Sequence, residues 1–402
     1  MGQTKRWLER QEATGVRLGL LEADLVACEL CVTDEGLRLF VSRGPKHDQC
    51  DFCGATQAHG LQVIDLFEYM VSKLEAEWED PNDSVGWSGR DGGWVGAKVL
   101  DTWDLLANID DPFESDELRD LFLSAVDRQW CQRDPYSLTP DQRLMFGWEA
   151  FVKHVRHSQR YLFLSHRTPD RHEDEIGPAE MLDELGRAIA RIGHRLFRLV
   201  PAGTRLLRGR VHAPDAHPHS ASELGSPPEL LTKSYRMSPA GISMFYAADD
   251  LETVQAELGS PTTHLTVAAW STQRDLIALD LASLPDVPSI FDMTGSQERP
   301  WLAFLRRFAD ESSRPAGEHA EIDYVPTQVF TEYVRSALVD DAGRCVEAVR
   351  YRSSLTGGIC WVVFASPDQC SDRATDDHTS SILAIEPDSV RRYEPGWVAA
   401  AE

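Results

Sequence analysis

Two Cys-x2-Cys pairs, Cys28–Cys31 and Cys50–Cys53, constrain this chain more than any other feature. Eighteen residues separate the pairs, and Gly54 follows the second. Two such knuckles can bring four thiolates onto one tetrahedral zinc at about 2.3 Å each. A glycine after the second knuckle suits a tight backbone turn. Two redox-active pairs, or four unrelated cysteines, are the competing readings. A thioredoxin-like pair would need a βαβ frame that the neighbouring residues do not supply, and lasting disulfides do not suit a cytosolic chain. The expected ligands are Cys28, Cys31, Cys50 and Cys53, holding a structural zinc because all four come from protein. The remaining cysteines, Cys131, Cys345, Cys360 and Cys370, are scattered and read as buried or incidental.

The cytosolic premise comes from the chain itself. Its first fifteen residues are polar, without the apolar centre of a secretory signal, and no apolar run reaches membrane-spanning length. The expected location is the cytoplasm. The 402 residues suffice for two or three domains. With 65 acidic and 40 basic residues the net charge is −25, which repels polyphosphate and argues against a broad nucleic-acid surface.

Along the chain, Leu37–Ser42 has the look of a short strand before a turn at Gly44-Pro45. Helical spacing follows over Leu61–Trp78, then a Gly-, Asp- and Trp-rich loop over Pro81–Gly96. Helical patterning resumes at Val99–Leu106, Glu117–Cys131 and Pro140–Phe163, the last with a stripe of Met145, Trp148, Phe151, Val152 and Val155. A charged segment, Thr168–Pro178, reads as a linker into a connecting helix, Ala179–Arg195. After Leu199 short β-like runs (204–211, 242–247, 264–269, 276–281, 346–351, 360–364) mix irregularly with helices at 250–258, 299–308 and 325–338. That texture predicts a mixed α+β domain rather than regular βαβ winding. The expected division is 1–58 with an N-terminal helix and the zinc site, 59–168 helical, 169–198 linker and connecting helix, and 199–395 the α+β domain.

Within the last region several segments stand in a set order. Leu206-Leu-Arg208 is followed by Tyr235-Arg-Met-Ser-Pro-Ala-Gly241, then by Ile242-Ser-Met-Phe-Tyr-Ala-Ala-Asp-Asp250 running on to Glu257. Tyr324-Val-Pro-Thr-Gln328, Tyr351-Arg-Ser353 and Cys360-Trp-Val-Val-Phe364 complete the set. This ordered set resembles the RES domain, named for its Arg, Glu and Ser and found in bacterial NAD-degrading toxins. Leu207 stands where that family has an aromatic, Met237-Ser238 where it has Phe-Asn, and the loop from Arg210 to Arg236 is long. The N-terminal half, with its paired knuckles and helices, resembles the HEPN-associated domain that precedes some RES domains. HEPN ribonucleases carry an Arg and a His a few residues apart on a helix. Here Arg160 and His166 are the nearest match, with surface or packing roles as the alternative.

The resemblance implies an ADP-ribosyltransferase-like RES fold and NAD+ as substrate. Arg208 would take the pyrophosphate, with Arg236 as a second contact. Glu257 would stabilise the oxocarbenium-like ribose, on a helix capped by Asp249 with Glu252 and turned inward by Val254 and Leu258. Tyr246 would stack on nicotinamide or position the ribose, or else be a core aromatic. Ser353, preferred over Ser354, would donate a hydrogen bond to the dinucleotide; no adjacent His activates it as a nucleophile. Arg208, Glu257, Ser353 and Tyr246 are thus the expected catalytic set, and Arg208, Arg236, Tyr246 and Ser353 the expected contacts. The implied activity is NAD+ glycohydrolysis or phosphorolysis with inorganic phosphate, in a toxin or defence effector with an antitoxin or regulatory partner. An ADP-ribosyltransferase acting on a macromolecule and a non-catalytic zinc-containing sensor are the rivals. The long N-terminal region suggests restraint of catalysis, in which case residues 193–402 alone would be more toxic than the whole chain.

Overall fold

A computed structural model describes residues 25–162, 175–259, 262–314, 317, 319–373 and 381–397. The polar N-terminus, His166 and the charged stretch 168–174 lie outside them. The chain divides into two units, residues 1–139 with 287–300, and residues 140–286 with 301–402.

In the first unit β1 (Val26–Cys28) pairs antiparallel with β2 (Gly60–Gln62), placing Cys28 opposite Gly60. The run expected as a strand at 37–42 is instead helical, as α1 (Glu35–Val41). Asp34 caps it by accepting from the Leu37 N–H at 2.8 Å, and Leu37 and Val41, four residues apart, are both buried. A cap and a buried i, i+4 pair outweigh the weak β preference of so short a run. The expected helix after residue 61 forms as α2 (Val63–Leu74), burying Val63, Leu66, Phe67, Met70, Val71 and Leu74 on one face. Beyond it β3 (Trp78–Glu79) precedes a hairpin, β4 (Gly86–Ser88) and β5 (Gly93–Val95), inside the expected loop. The next two expected helices are shorter and bordered by strands: β6 (Val99–Asp101), α3 (Thr102–Asn108), α4 (Asp116–Ala125) and β7 (Gln129–Gln132), with β7 between β3 and β6.

The second unit begins with α5 (Pro140–His157) and α6 (Pro178–Ile192). The sequence reads α6 as a connector, but it buries Met181, Leu182, Leu185, Ala188, Ile189 and Ile192. These join Leu144, Trp148 and Phe151 of α5 in one core with residues of the sheet and of two later helices. Strands β8 (Phe197–Val200), β9 (Arg205–His212) and β10 (Phe245–Ala248) follow, then α7 (Leu251–Leu258), β11 (His264–Thr272) and β12 (Leu276–Asp280). After them come α8 (Arg299–Ser313), α9 (Val325–Ala337), β13 (Ala348–Arg352), β14 (Ile359–Val363), β15 (Cys370–Ser371), β16 (Leu383–Ile385) and β17 (Arg391–Tyr393). Among the described residues the strands form one sheet ordered β15-β16-β11-β9-β10-β14-β13-β12-β8, with β17 also against β11. The mixed α+β expectation for this region agrees with that topology. The patterning did not reveal β8 or the three C-terminal strands.

The sheet is not uniformly joined. β9 and β11 pair continuously from Arg205↔Ser271 to His212↔His264, and β10 and β14 from Phe245↔Val363 to Ala248↔Cys360. Between these halves β9 meets β10 at a single register pair, Leu207↔Ala248. Beyond that pair the strands part, and the sheet splits.

Candidate functional site

A cleft of about 470 Å³ lies in the second unit, lined from both sides of the split. Arg208 spans it. Its Nη1 donates to the Tyr246 carbonyl on β10 at 2.6 Å, and its Nε to the Leu224 carbonyl at 2.9 Å. The guanidinium thus serves a carbonyl that the strand ladder leaves over, and lies over the Phe245 ring at 4.9 Å. No carboxylate pairs with it among the described residues. Burial, and then the nearby Arg210 charge, push its pKa down to about 10, so it stays charged at neutral pH.

Glu257 lines the same cleft from the last turn of α7. Its residue is exposed, so it faces the open cleft and not the interior that its apolar neighbours suggested. The helix cap is Asp250, accepting from the Thr253 N–H at 2.7 Å; Asp249 instead accepts from Trp361 Nε1 at 2.6 Å. Ser353 Oγ donates to Glu257 Oε1 at 2.6 Å and itself accepts from the Leu355 N–H at 3.2 Å. Ser353 is 3% exposed and is not among the cleft-lining residues, so its hydroxyl holds the glutamate and does not reach a ligand directly. The Cys360 thiol also points at Oε1, at 3.8 Å. Burial, then the Glu257 charge, push Cys360 up to about 12, so it remains a neutral thiol.

Tyr246 bonds Ser238 Oγ at 2.9 Å through its hydroxyl, and its ring lies 5.3 Å from that of Tyr235. Burial raises its pKa, so it too stays neutral. Tyr246 packs against the core while lining the cleft, which unites the two readings offered for it. Arg236 donates Nη1 to the Ser312 and Arg314 carbonyls at 2.7 and 2.6 Å, at the end of α8, and sits 5.3 Å from the Tyr324 ring. Arg208, Arg236, Tyr246 and Glu257 therefore share one cleft, with Ser353 behind Glu257. The sequence reading gave no site role to two charged wall residues, Arg210 and Lys233. Arg210 lies two positions after Arg208, and strand alternation puts both on one face, a signal that was available.

In the first unit the sulfur atoms of Cys28, Cys31, Cys50 and Cys53 all lie within 4.8 Å of one another. Individual contacts are 3.8 Å for Cys28–Cys31, 3.4 Å for Cys28–Cys53 and 3.5 Å for Cys31–Cys50. Four thiolates at about 2.3 Å from a tetrahedral zinc would sit about 3.8 Å apart, so the cluster fits a metal of that size. Gly54 turns the backbone at φ 70°, a left-handed conformation that favours glycine. Arg160 is exposed, and its expected partner His166 lies outside the described residues.

Comparison with protein-family models finds a RES domain over residues 207–383 and a HEPN/RES N-terminal domain 1 over residues 44–169. The RES match contains Arg208, Arg236, Tyr246, Glu257 and Ser353. Comparison with curated proteins returned no match. Among solved structures, a chain from the crystal structure of the M. tuberculosis MbcT-MbcA toxin-antitoxin complex is similar at 13% identity. The similarity covers 53% of this chain and 94% of that one, with a TM-score of 0.30, too slight to argue from.

Proposed function

Since this chain carries a RES domain behind a HEPN/RES N-terminal domain, we propose that it is an NAD+-degrading enzyme that breaks the nicotinamide–ribose bond. The observation that carries the reading is the Ser353–Glu257 hydrogen bond at the wall of a cleft whose cations have no carboxylate partners among the described residues. The RES match and the split sheet are also in keeping with an ADP-ribosyltransferase-like fold.

In this reading Arg208 binds the pyrophosphate, with Arg236 beside it, and Tyr246 packs along the nicotinamide or its ribose. When the C–N bond breaks, its electron pair moves onto the nicotinamide nitrogen, which leaves neutral and needs no general acid. Positive charge develops on the ribose, and the Glu257 carboxylate, fixed by Ser353, stabilises it. Addition of water then yields ADP-ribose and a proton that Glu257 can accept; addition of inorganic phosphate yields ADP-ribose phosphate. An enzyme of this kind drains its host of NAD+, so we assign it the role of toxin or defence effector, held in check by an antitoxin or regulatory partner. The four cysteines are assigned a structural zinc, which would supply folding energy and no chemistry.

Purified full-length protein incubated with NAD+ labelled in the ADP-ribose part tests this directly. Free nicotinamide with soluble ADP-ribose supports hydrolysis, and a phosphate-dependent phosphorylated product supports phosphorolysis. Label fixed on protein or nucleic acid would mark a transferase. No nicotinamide release would leave a binding or sensor protein.

A further inference from the structure

Arg208, Arg210, Lys233 and Arg236 all line the cleft, against a single carboxylate, that of Glu257. None of the four is in an ion pair among the described residues, in a chain whose net charge is −25. The arginines donate to main-chain carbonyls, which leave their charge uncompensated. Arg210 Nη1 bonds the Glu223 carbonyl at 2.6 Å, one residue before the carbonyl that Arg208 takes. The Glu223 carboxylate does not answer that charge. It is engaged by the His219 and Ser220 N–H groups at 3.0 and 3.1 Å and by Ser220 Oγ at 2.8 Å. Lys233 is exposed on the following loop.

A pyrophosphate bears one charge on each phosphoryl group, which Arg208 and Arg236 match. Arg210 and Lys233 exceed that need. We propose that Arg210 and Lys233 form a second phosphoryl subsite, which takes the 2′-phosphate of a phosphorylated dinucleotide, so that the enzyme accepts NADP as well as NAD. The proposal rests on the NAD-cleaving reading above. The inorganic-phosphate arm of the test below distinguishes it from a site for acceptor phosphate, because an acceptor must reach the ribose carbon whereas a 2′-phosphate belongs to the adenosine end.

The test uses the full chain and two measurements. Calorimetry compares AMP, adenosine 2′,5′-bisphosphate and inorganic phosphate as ligands; kinetics compares kcat/KM for NADP and NAD. The wild type should bind the bisphosphate at least tenfold more tightly than AMP. Arg210→Gln with Lys233→Ala should erase that preference and lower the NADP-over-NAD ratio at least tenfold. Glutamine keeps a donor for the Glu223 carbonyl, and an unchanged circular dichroism spectrum verifies the fold. Equal weakening of both nucleotides would assign the pair to the shared phosphate and overturn the proposal. So would loss of inorganic phosphate binding with the bisphosphate preference intact. Nucleotide binding is read without turnover, so absence of nicotinamide release would fail the catalytic reading separately from the subsite.

Discussion

Ser353 Oγ lies 2.6 Å from Glu257 Oε1 although 96 residues separate them in the chain. The hydroxyl donates to the carboxylate, so the bond orients Glu257. Cys360, on strand β14, adds a weaker donor to the same oxygen. The glutamate so held lines the cleft.

Glu257→Gln should preserve shape and NAD affinity while slowing bond cleavage by about 3–4 kcal/mol, a few hundredfold, the scale of one preorganised electrostatic contact. Ser353→Ala should lose less, about 1.5–3 kcal/mol, the range for a hydrogen bond to a charged group, and should lower kcat more than it raises KM. Single-turnover nicotinamide release beside an NAD binding isotherm separates the two effects. Near-normal turnover of folded Glu257→Gln would remove Glu257 from the mechanism.

Arg208→Ala should weaken NAD binding, because the pyrophosphate is charged in the ground state as well as the transition state. It should also lower Tm, since the Tyr246 and Leu224 carbonyls lose their donor. Burial lowers the Arg208 pKa to about 10, so the guanidinium stays charged and NAD affinity should hold steady from pH 7 to about 9. NAD isotherms of the wild type and Arg208→Ala over that range read the effect; unchanged affinity in the folded variant would argue against Arg208 as the pyrophosphate ligand.

The cysteine cluster predicts one tightly bound zinc per chain. Cys50→Ser should release it and loosen the first unit, whose core includes Cys28, Cys31 and Cys50. Elemental analysis of protein refolded with and without zinc checks this. Metal-free protein that melts like the zinc-supplied sample would leave the cluster without a structural metal.

The fragment 193–402, expected from sequence to be a freed toxin, lacks α5 and α6. Without them the core loses Trp148, Phe151, Leu185 and Ile189, each at most 3% exposed. Even Phe151→Ala alone should lower stability by about 3–5 kcal/mol. The fragment should therefore be insoluble or unfolded by circular dichroism, and non-toxic for that reason. A soluble, cooperatively folded fragment would show that α5 and α6 are dispensable to the catalytic unit.

Local chemistry written in the sequence carried far. The spacing of Cys28, Cys31, Cys50 and Cys53 identified the cluster, because a knuckle is encoded by neighbours. The ordered segments around Arg208, Arg236, Glu257 and Ser353 identified the RES domain before any contact was known. Periodicity found α2, α5, β9, β11 and β12, whose faces repeat at 3.6 or 2 residues. What it could not decide were partners. The run 37–42 became a helix through Asp34's cap and burial of Leu37 and Val41, and α6 became core through surfaces far away in sequence. Only the assembled sheet sets β9 against β10 at Leu207↔Ala248 and then lets them part, giving Arg208 a carbonyl for a partner in place of a carboxylate. Only there does Ser353 meet Glu257 and not a ligand. Periodicity tells which way a side chain faces on its own element; which group it then meets depends on long-range closure of the chain, a property of the whole fold.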